Sequence, residues 1–133
     1  MKPTPAERNK QLALTAFDAL FNRRDYDAAN AMWADDYIQH STHISQGRAG
    51  LFERARSLPA LRYENALAVA EGDYVVLYGR FSGAGRPRPM IVANILRIDG
   101  GRLAEHWDVV QDEATVEESK SGLPMIGARF FVE

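Results

Sequence analysis

The sequence predicts an α+β domain in which helices precede an antiparallel sheet. Three observations predict it. Apolar residues recur at steps of three and four in the first part of the chain, they alternate with other residues from Leu61 onward, and glycine-containing turns separate the later segments. Helices followed by meandering strands are typical of α+β folds, whose helices pack on one face of the sheet.

Three helices are expected before Leu61. The first begins at Thr4, which is followed by proline and then by Glu7 near the positive helix end, and its apolar stripe runs to about Asn22. Asp25 caps a short second helix. A third helix spans 49–57 and ends before a proline. The second helix carries Tyr26, Ala29, Met32 and Trp33.

The rest of the chain is predicted to be mainly extended. Tyr37 to His40 is a short extended piece, and longer strands are expected at 61–69, 74–81, 90–98 and 102–111. The last two form a hairpin, because Asp99-Gly100-Gly101 supplies residues that tolerate positive φ. The tail from Ser119 to Glu133 is too apolar to stay in water, and we expect it to dock on the sheet or across a dimer.

Composition fits one domain over residues 1–133. The chain is 46% hydrophobic and 26% charged, with a net charge of -2. Its 16 Lys and Arg residues are scattered, so no nucleic-acid partner is expected. There is no cysteine and no apolar run of ~18 residues, which predicts a cytoplasmic protein without disulfides or a membrane span.

The hairpin of the last two predicted strands carries the residues best suited to acid/base chemistry. Strand period puts His106 and Asp108 on one face, with Glu105 and Trp107 on the other. Asp108 has apolar neighbours and is a candidate acid/base, although it could instead bond an arginine or a backbone N–H at a sheet edge. His106 either orients Asp108 or is a buried structural histidine. Asn94 either donates a hydrogen bond in the pocket or satisfies backbone groups.

Three segments carry a family resemblance: EHWDVVQ after the glycine turn, YIQHS at Tyr37 to Ser41, and EESKSGLPM at Glu117 to Met125. From about Ala6 to Met125 the chain resembles the SnoaL-like polyketide cyclase family of the nuclear-transport-factor-2-like superfamily. The resemblance implies a cone-shaped curved sheet closed by the helices, with a core of about 6–113 and a tail of 114–133. It also implies that Asp108 is the general acid/base of an aldol ring closure.

Aromatic and thioether side chains suggest walls for a flat apolar ligand. The resemblance adds His40 as a polar group facing the cavity. No metal or other cofactor is expected, because His40 and His43 lack a supporting carboxylate at helical spacing. The expected ligand is a small apolar or aromatic carbonyl compound. The predicted substrate-binding residues are His40, Trp33, Tyr37, Tyr63, Met90 and Trp107.

Three functions remain open on the sequence. The first is a cofactor-independent enzyme, an aldol-type cyclase (a lyase) or an isomerase, with Asp108, His106 and Asn94 as the catalytic set. The second is a non-catalytic module for ligand binding or dimerisation. The third is a hydrolase such as an epoxide hydrolase, which usually needs several acidic groups around a water. A homodimer through the outer sheet face is expected in each case.

Overall fold

The computed structural model describes residues 1–132 and confirms the α+β fold class. Five strands form one curved sheet, and the helices cover one of its faces. No helix within residues 1–132 is long and apolar enough to cross a membrane. The elements are α1 Pro5–Phe17, α2 Tyr26–Met32, β1 Trp33–Gln39, α3 Gly47–Ser57, β2 Arg62–Glu71, β3 Tyr74–Ser82, β4 Met90–Asp99 and β5 Arg102–Asp112.

The first helix begins where the sequence predicts. The Thr4 hydroxyl accepts a hydrogen bond from the backbone N–H of Glu7, and the Glu7 carboxylate accepts one from the backbone N–H of Thr4, both at 3.1 Å. This reciprocal pair satisfies two donors that the helix itself leaves free. The helix then passes into a π-helical segment, Asp18–Arg23.

Arg24 ends the π-helical segment and ties it to the end of α3. Its backbone is left-handed, with a φ of 58°. Its guanidinium donates to the carbonyl oxygens of Ala55, Leu58 and Leu61 at 2.6 to 2.7 Å. These are carbonyls at and beyond the end of a helix, where hydrogen-bond partners within the helix are missing. Arg24 therefore fixes α3 against the rest of the fold.

The sheet is mixed, which corrects the expectation of a wholly antiparallel one. Its strand order is β1-β5-β4-β3-β2, and β1 runs parallel to β5 while the other pairs are antiparallel. Parallel neighbours need a long connection. Here α3 and the three strands β2 to β4 supply it. Trp33, expected at the end of α2, instead begins β1 in extended backbone.

The two faces of the sheet have different environments. We call the face that packs on the helices the inner face and the opposite one the outer face. A bulge between Asn65 and Leu67 in β2 shifts the register, so that Leu67 and Val69 point outward, each 61% exposed. Val109 of β5 is 68% exposed. The outer face therefore carries apolar side chains in contact with solvent.

The core lies between the helices and the inner face. Phe17 of α1 sits among other rings: its centroid is 5.3 Å from that of Phe21 and 5.1 Å from that of Tyr63, both edge-on. It stacks on Trp33 at 6.3 Å. Edge-on and offset pairs are the favoured aromatic geometries. This cluster holds the helices against the sheet.

The tail docks on its own sheet. The Tyr78 hydroxyl donates to the carbonyl oxygen of Met125 at 3.0 Å, and Ile126 is buried. Glu113, the residue between β5 and the tail, is fully buried and receives two hydrogen bonds of 2.6 Å from the Arg80 guanidinium. Such a pairing satisfies a carboxylate that has left water. The chain is thus anchored to β3 by an ion pair at the point where the tail begins.

Candidate active site

Two adjoining cavities lie between the inner face of the sheet and the helices. The outer cavity has a volume of about 160 Å³ and reaches the surface beside α3 and the loop before it. The inner cavity is about 50 Å³, and its walls are mostly buried residues. The two share the lining residues Phe21, Ile44, Leu51, Phe81 and Asp108. Asp108 is the polar member of this shared wall.

Strand β5 places Asp108 at the junction of the two cavities. The residue is half-buried and lies directly opposite Asn94 on β4. Within the described chain, its side chain makes no hydrogen bond and no ion pair. Its carboxylate therefore faces apolar walls without a protein partner, and it is free to meet a ligand.

His106, two residues earlier, lies deeper in the inner cavity. Its Nδ1 is 2.6 Å from Gln39 Oε1, and its Nε2 is 3.0 Å from Asn94 Oδ1. Gln39 comes from β1 and is the register partner of His106. Of the two interpretations of His106, the contacts match a buried structural histidine, because amide groups on both neighbouring strands hold its ring and it makes no bond to Asp108.

Backbone groups orient the two amides that hold His106. Gln39 Oε1 accepts from the backbone N–H of Ser41 at 3.0 Å, and Asn94 Nδ2 donates to the carbonyl oxygen of Leu77 at 3.1 Å. Both amides therefore present oxygen to the histidine ring. An imidazole with one hydrogen can donate to only one of them.

The protonation of His106 follows from these contacts. Burial lowers the pKa of His106 to about 4, against the opposing effect of the Asp108 charge. The neutral ring has one N–H, which donates to Gln39 Oε1 from Nδ1 in one tautomer and to Asn94 Oδ1 from Nε2 in the other.

Ser41 lines the outer cavity, and its buried Oγ makes no hydrogen bond in the described chain. Trp33 lines the inner cavity, and its buried Nε1 lies beside Tyr37. Tyr37, beside Trp33, accepts from Gln39 Nε2 at 2.8 Å, and burial raises the pKa of Tyr37 so that its hydroxyl keeps its proton. The wall of the inner cavity thus contains polar side chains as well as apolar rings.

The structure brings most of the predicted site residues together. Asp108, His106, Asn94, Trp33 and Tyr37 line the inner cavity. Met90 lines the outer one. Strand parity in β1 and β5, which alternates side chains between the two faces, accounts for most of these positions.

Three predicted residues lie elsewhere. His40 Nε2 is 2.7 Å from the carboxylate of Glu105, and its ring stacks on Trp107 with centroids 4.9 Å apart. Both rings are on the outer face, since His40 follows the inward-facing Gln39 and Trp107 lies between two inward-facing residues. Tyr63 lies in the aromatic core and lines neither cavity. Its hydroxyl donates to Asn65 at 2.6 Å.

Two residues of the site were missed from the sequence. Gln39 lies two positions after Tyr37, so strand parity alone could have found it. Arg54 lines the outer cavity from the last turn of α3. No local motif marks it, because its position depends on how α3 packs beside the sheet.

Solved structures with the same fold are named for different activities. A candidate ketosteroid isomerase from Kribbella flavida has a TM-score of 0.74 and 18% identity, covering 96% of this chain and 98% of that one. A candidate polyketide cyclase from Acidithiobacillus ferrooxidans has a TM-score of 0.67 and 21% identity, covering 82% and 92%. A candidate hydroxylase from Streptomyces galilaeus has a TM-score of 0.66 and 23% identity, covering 80% and 81%. At these identities the likeness shows the fold alone.

Sequence comparison gives the family. A search of curated protein sequences finds no match. The model of the SnoaL-like domain matches residues 14–106, which is most of the chain and includes α2, α3 and four of the strands in full. The match ends at His106, two residues before Asp108. The chain belongs to the SnoaL-like domain family.

Proposed function

We propose that this protein is an enzyme that moves a proton next to a carbonyl group, as an aldol-type cyclase or an isomerase, with Asp108 as the general acid/base. The observation that carries the proposal is the position of Asp108. It stands between two apolar cavities, at the junction of their walls, with no protein partner in the described chain.

The chemistry needs a base and a folded substrate. The Asp108 carboxylate takes a proton from the carbon next to a carbonyl, and the electron pair of that C–H bond forms an enolate. In a cyclase, the enolate carbon bonds to a second carbonyl carbon of the same molecule, and protonated Asp108 returns the proton to the new alkoxide. In an isomerase, the proton returns to a different carbon. Neither path consumes a cofactor.

The cavity lining favours this chemistry over hydrolysis. Opening an epoxide with an activated water usually uses several acidic groups around that water. Asp108 is the one carboxylate that lines either cavity within residues 1–132. The walls around it are phenylalanine, leucine and isoleucine side chains, which suit a small apolar or aromatic carbonyl compound.

Asn94 and His106 are assigned supporting roles. Asn94 Nδ2 is already bonded to Leu77, and His106 is held between Gln39 and Asn94. Both side chains form part of the wall of the inner cavity. Replacing Asn94 by Ala is therefore expected to reduce activity less than replacing Asp108.

An assay that needs no knowledge of the natural substrate tests the proposal. Aryl methyl ketones are incubated with the protein in D₂O, and the loss of the methyl proton signal is followed by NMR. We expect the wild-type protein to exchange these protons and Asp108→Asn to be slower by roughly 10² to 10⁴. Asp36→Asn, on exposed β1 backbone away from the cavities, is the matched control and should exchange like the wild type. Binding without exchange would support the non-catalytic module.

A further inference from the structure

The two cavities of the site differ sharply in size. The outer cavity has a volume of about 160 Å³ and opens to the surface, whereas the inner cavity is about 50 Å³. A cavity of about 150 Å³ holds a benzene molecule, and one water occupies roughly 30 Å³ in the liquid. The outer cavity therefore has room for one ring, and the inner cavity has room for one or two small groups such as a carbonyl and a methyl.

Buried side chains close the inner cavity at its far end. Phe17, Trp33 and Tyr37 lie on its wall and are almost fully buried. Phe17 stacks on Trp33, so these rings belong to the aromatic core that holds the helices against the sheet. Protein cores are close-packed, and forcing a larger group into one displaces side chains at a cost in free energy. A ligand group that enters the inner cavity is therefore limited to the space already there.

The wall shared by the two cavities fixes which part of a ligand meets Asp108. Leu51, a buried residue of α3, and Ile44, a half-buried residue of the preceding loop, belong to this shared wall together with Asp108. A carbon that gives its proton to Asp108 lies at this junction. The groups on its inner side must fit the smaller cavity, so the larger part of the ligand lies toward the mouth.

The charged side chains of the site favour a neutral ligand. Arg86 is ion-paired with Asp112, and Arg54, at the rim of the outer cavity, is exposed to solvent. An ionised Asp108 between apolar walls repels an anionic group beside it. A cationic group would occupy the carboxylate that the proposed reaction uses as its base. The part of the ligand that reaches the junction is therefore uncharged.

We propose that the site takes a neutral ketone with one ring in the outer cavity and a short acyl group, of two or three carbons, at the junction and in the inner cavity, and that Leu51 limits the length of that acyl group. This inference rests on the proposed function for the role of Asp108, and it adds the size, charge and orientation of the substrate. A ketone with a ring on each side of its carbonyl carbon is excluded, because the inner cavity does not hold a second ring.

Two isomeric ketones separate the limit at the inner end from total size and hydrophobicity. 4-Propylacetophenone carries three extra carbons at the far end of its ring, and valerophenone carries the same three at the end of its acyl group. Dissociation constants are measured by NMR titration of ¹⁵N-labelled protein. We expect 4-propylacetophenone to bind about tenfold more tightly than valerophenone, whose extra carbons have no space at the inner end. Equal affinity for the two isomers would overturn the proposal.

Truncating Leu51 tests its role in this limit. Leu51→Ala widens the junction, so the ratio of the two dissociation constants should fall from about ten to about two, because the acyl chain of valerophenone then finds space to be buried. Leu14→Ala is the matched control. Leu14 packs against the core from α1 but lines neither cavity, so its truncation should leave the ratio unchanged. Equal ratios in the two variants would contradict the role of Leu51.

A second variant covers a loss of stability in the first. Leu51 is part of the core, and removing a buried leucine side chain destabilises a fold. Ile44→Ala widens the same junction from a half-buried position in a loop and should lower the ratio in the same direction. The amide spectra recorded during each titration show whether a variant is folded. Folded variants at both positions with the wild-type ratio would show that this junction does not set the limit.

The outcomes also distinguish this inference from the proposed function. Asp108→Asn should keep the ratio of the two dissociation constants, because the shape of the site is unchanged. If the ratio holds and wild type exchanges no protons of either ketone in D₂O, the size-limited site stands and the catalytic proposal falls. If wild type accelerates exchange in both isomers equally over the uncatalysed rates, the limit on the acyl group is wrong and Asp108 remains the candidate base.

Discussion

Asp108 and His106 face the same way from one strand but have opposite surroundings. His106 is enclosed by two amides fixed by backbone groups, whereas Asp108 has no protein partner in the described chain. Strand parity was enough to predict that both lie on the inner face. It was not enough to predict the partners of His106, because Gln39 comes from a strand that is distant in sequence and parallel to β5.

The buried ring of His106 predicts a specific dependence of stability on pH. Its pKa is lowered to about 4 in the folded protein, against about 6.5 when unfolded, so the unfolded chain binds more protons between these values. Stability contributed by neutral His106 is therefore present above pH 6.5 and is lost as the pH falls toward 4.

Urea unfolding of wild type and His106→Gln measures this effect. The difference in unfolding free energy between the two proteins should shrink by up to about 3 kcal/mol from pH 7 to pH 4. The comparison removes the contributions of carboxylates that both proteins share. A difference that stays constant across this range would show that His106 titrates alike in both states.

At the scale of elements, helix starts and hairpin turns were predictable and inter-element contacts were not. Thr4 and Glu7 form the predicted cap, and the Asp99-Gly100-Gly101 turn joins β4 and β5 as expected. The bulge that turns Leu67 outward and the parallel placement of β1 have no local signal. Each depends on pairing between distant segments, which a single sequence does not display.

Arg24 gives a prediction at this scale. Arg24→Ala removes the donor of three hydrogen bonds to carbonyls at the end of α3, so we expect it to lower the free energy of unfolding by about 2 to 4 kcal/mol. Arg23→Ala is the neighbouring control. Its ion pair with Asp18 is half exposed and should contribute less than about 1 kcal/mol. Equal losses in urea unfolding would contradict the assigned role of Arg24.

At the scale of the whole molecule, the outer sheet face exposes apolar side chains to solvent. The tail covers part of it near Tyr78, as the sequence suggested. Leu67, Val69 and Val109 stay between 61% and 68% exposed. A contiguous apolar face on a single chain favours association. Dimerisation through this face is still a prediction.

Light scattering at micromolar concentration tests the dimer. We expect a mass of about twice the 14.9 kDa of one chain. Val109→Lys, in the middle of the outer face, should give the mass of one chain, because it places a charge in the interface. Val116→Lys, at a valine that is also exposed (56%) but lies in the tail, should remain dimeric. A wild-type mass of one chain would rule out the dimer at that concentration.

The most direct test of the central claim compares binding and proton exchange in the same variant. Asp108→Asn keeps the shape of the site and removes its base. At a saturating concentration of an aryl methyl ketone in D₂O, the account predicts that this variant binds the ligand as wild type does and exchanges its methyl protons roughly 10² to 10⁴ times more slowly. Exchange at the wild-type rate in Asp108→Asn would contradict it.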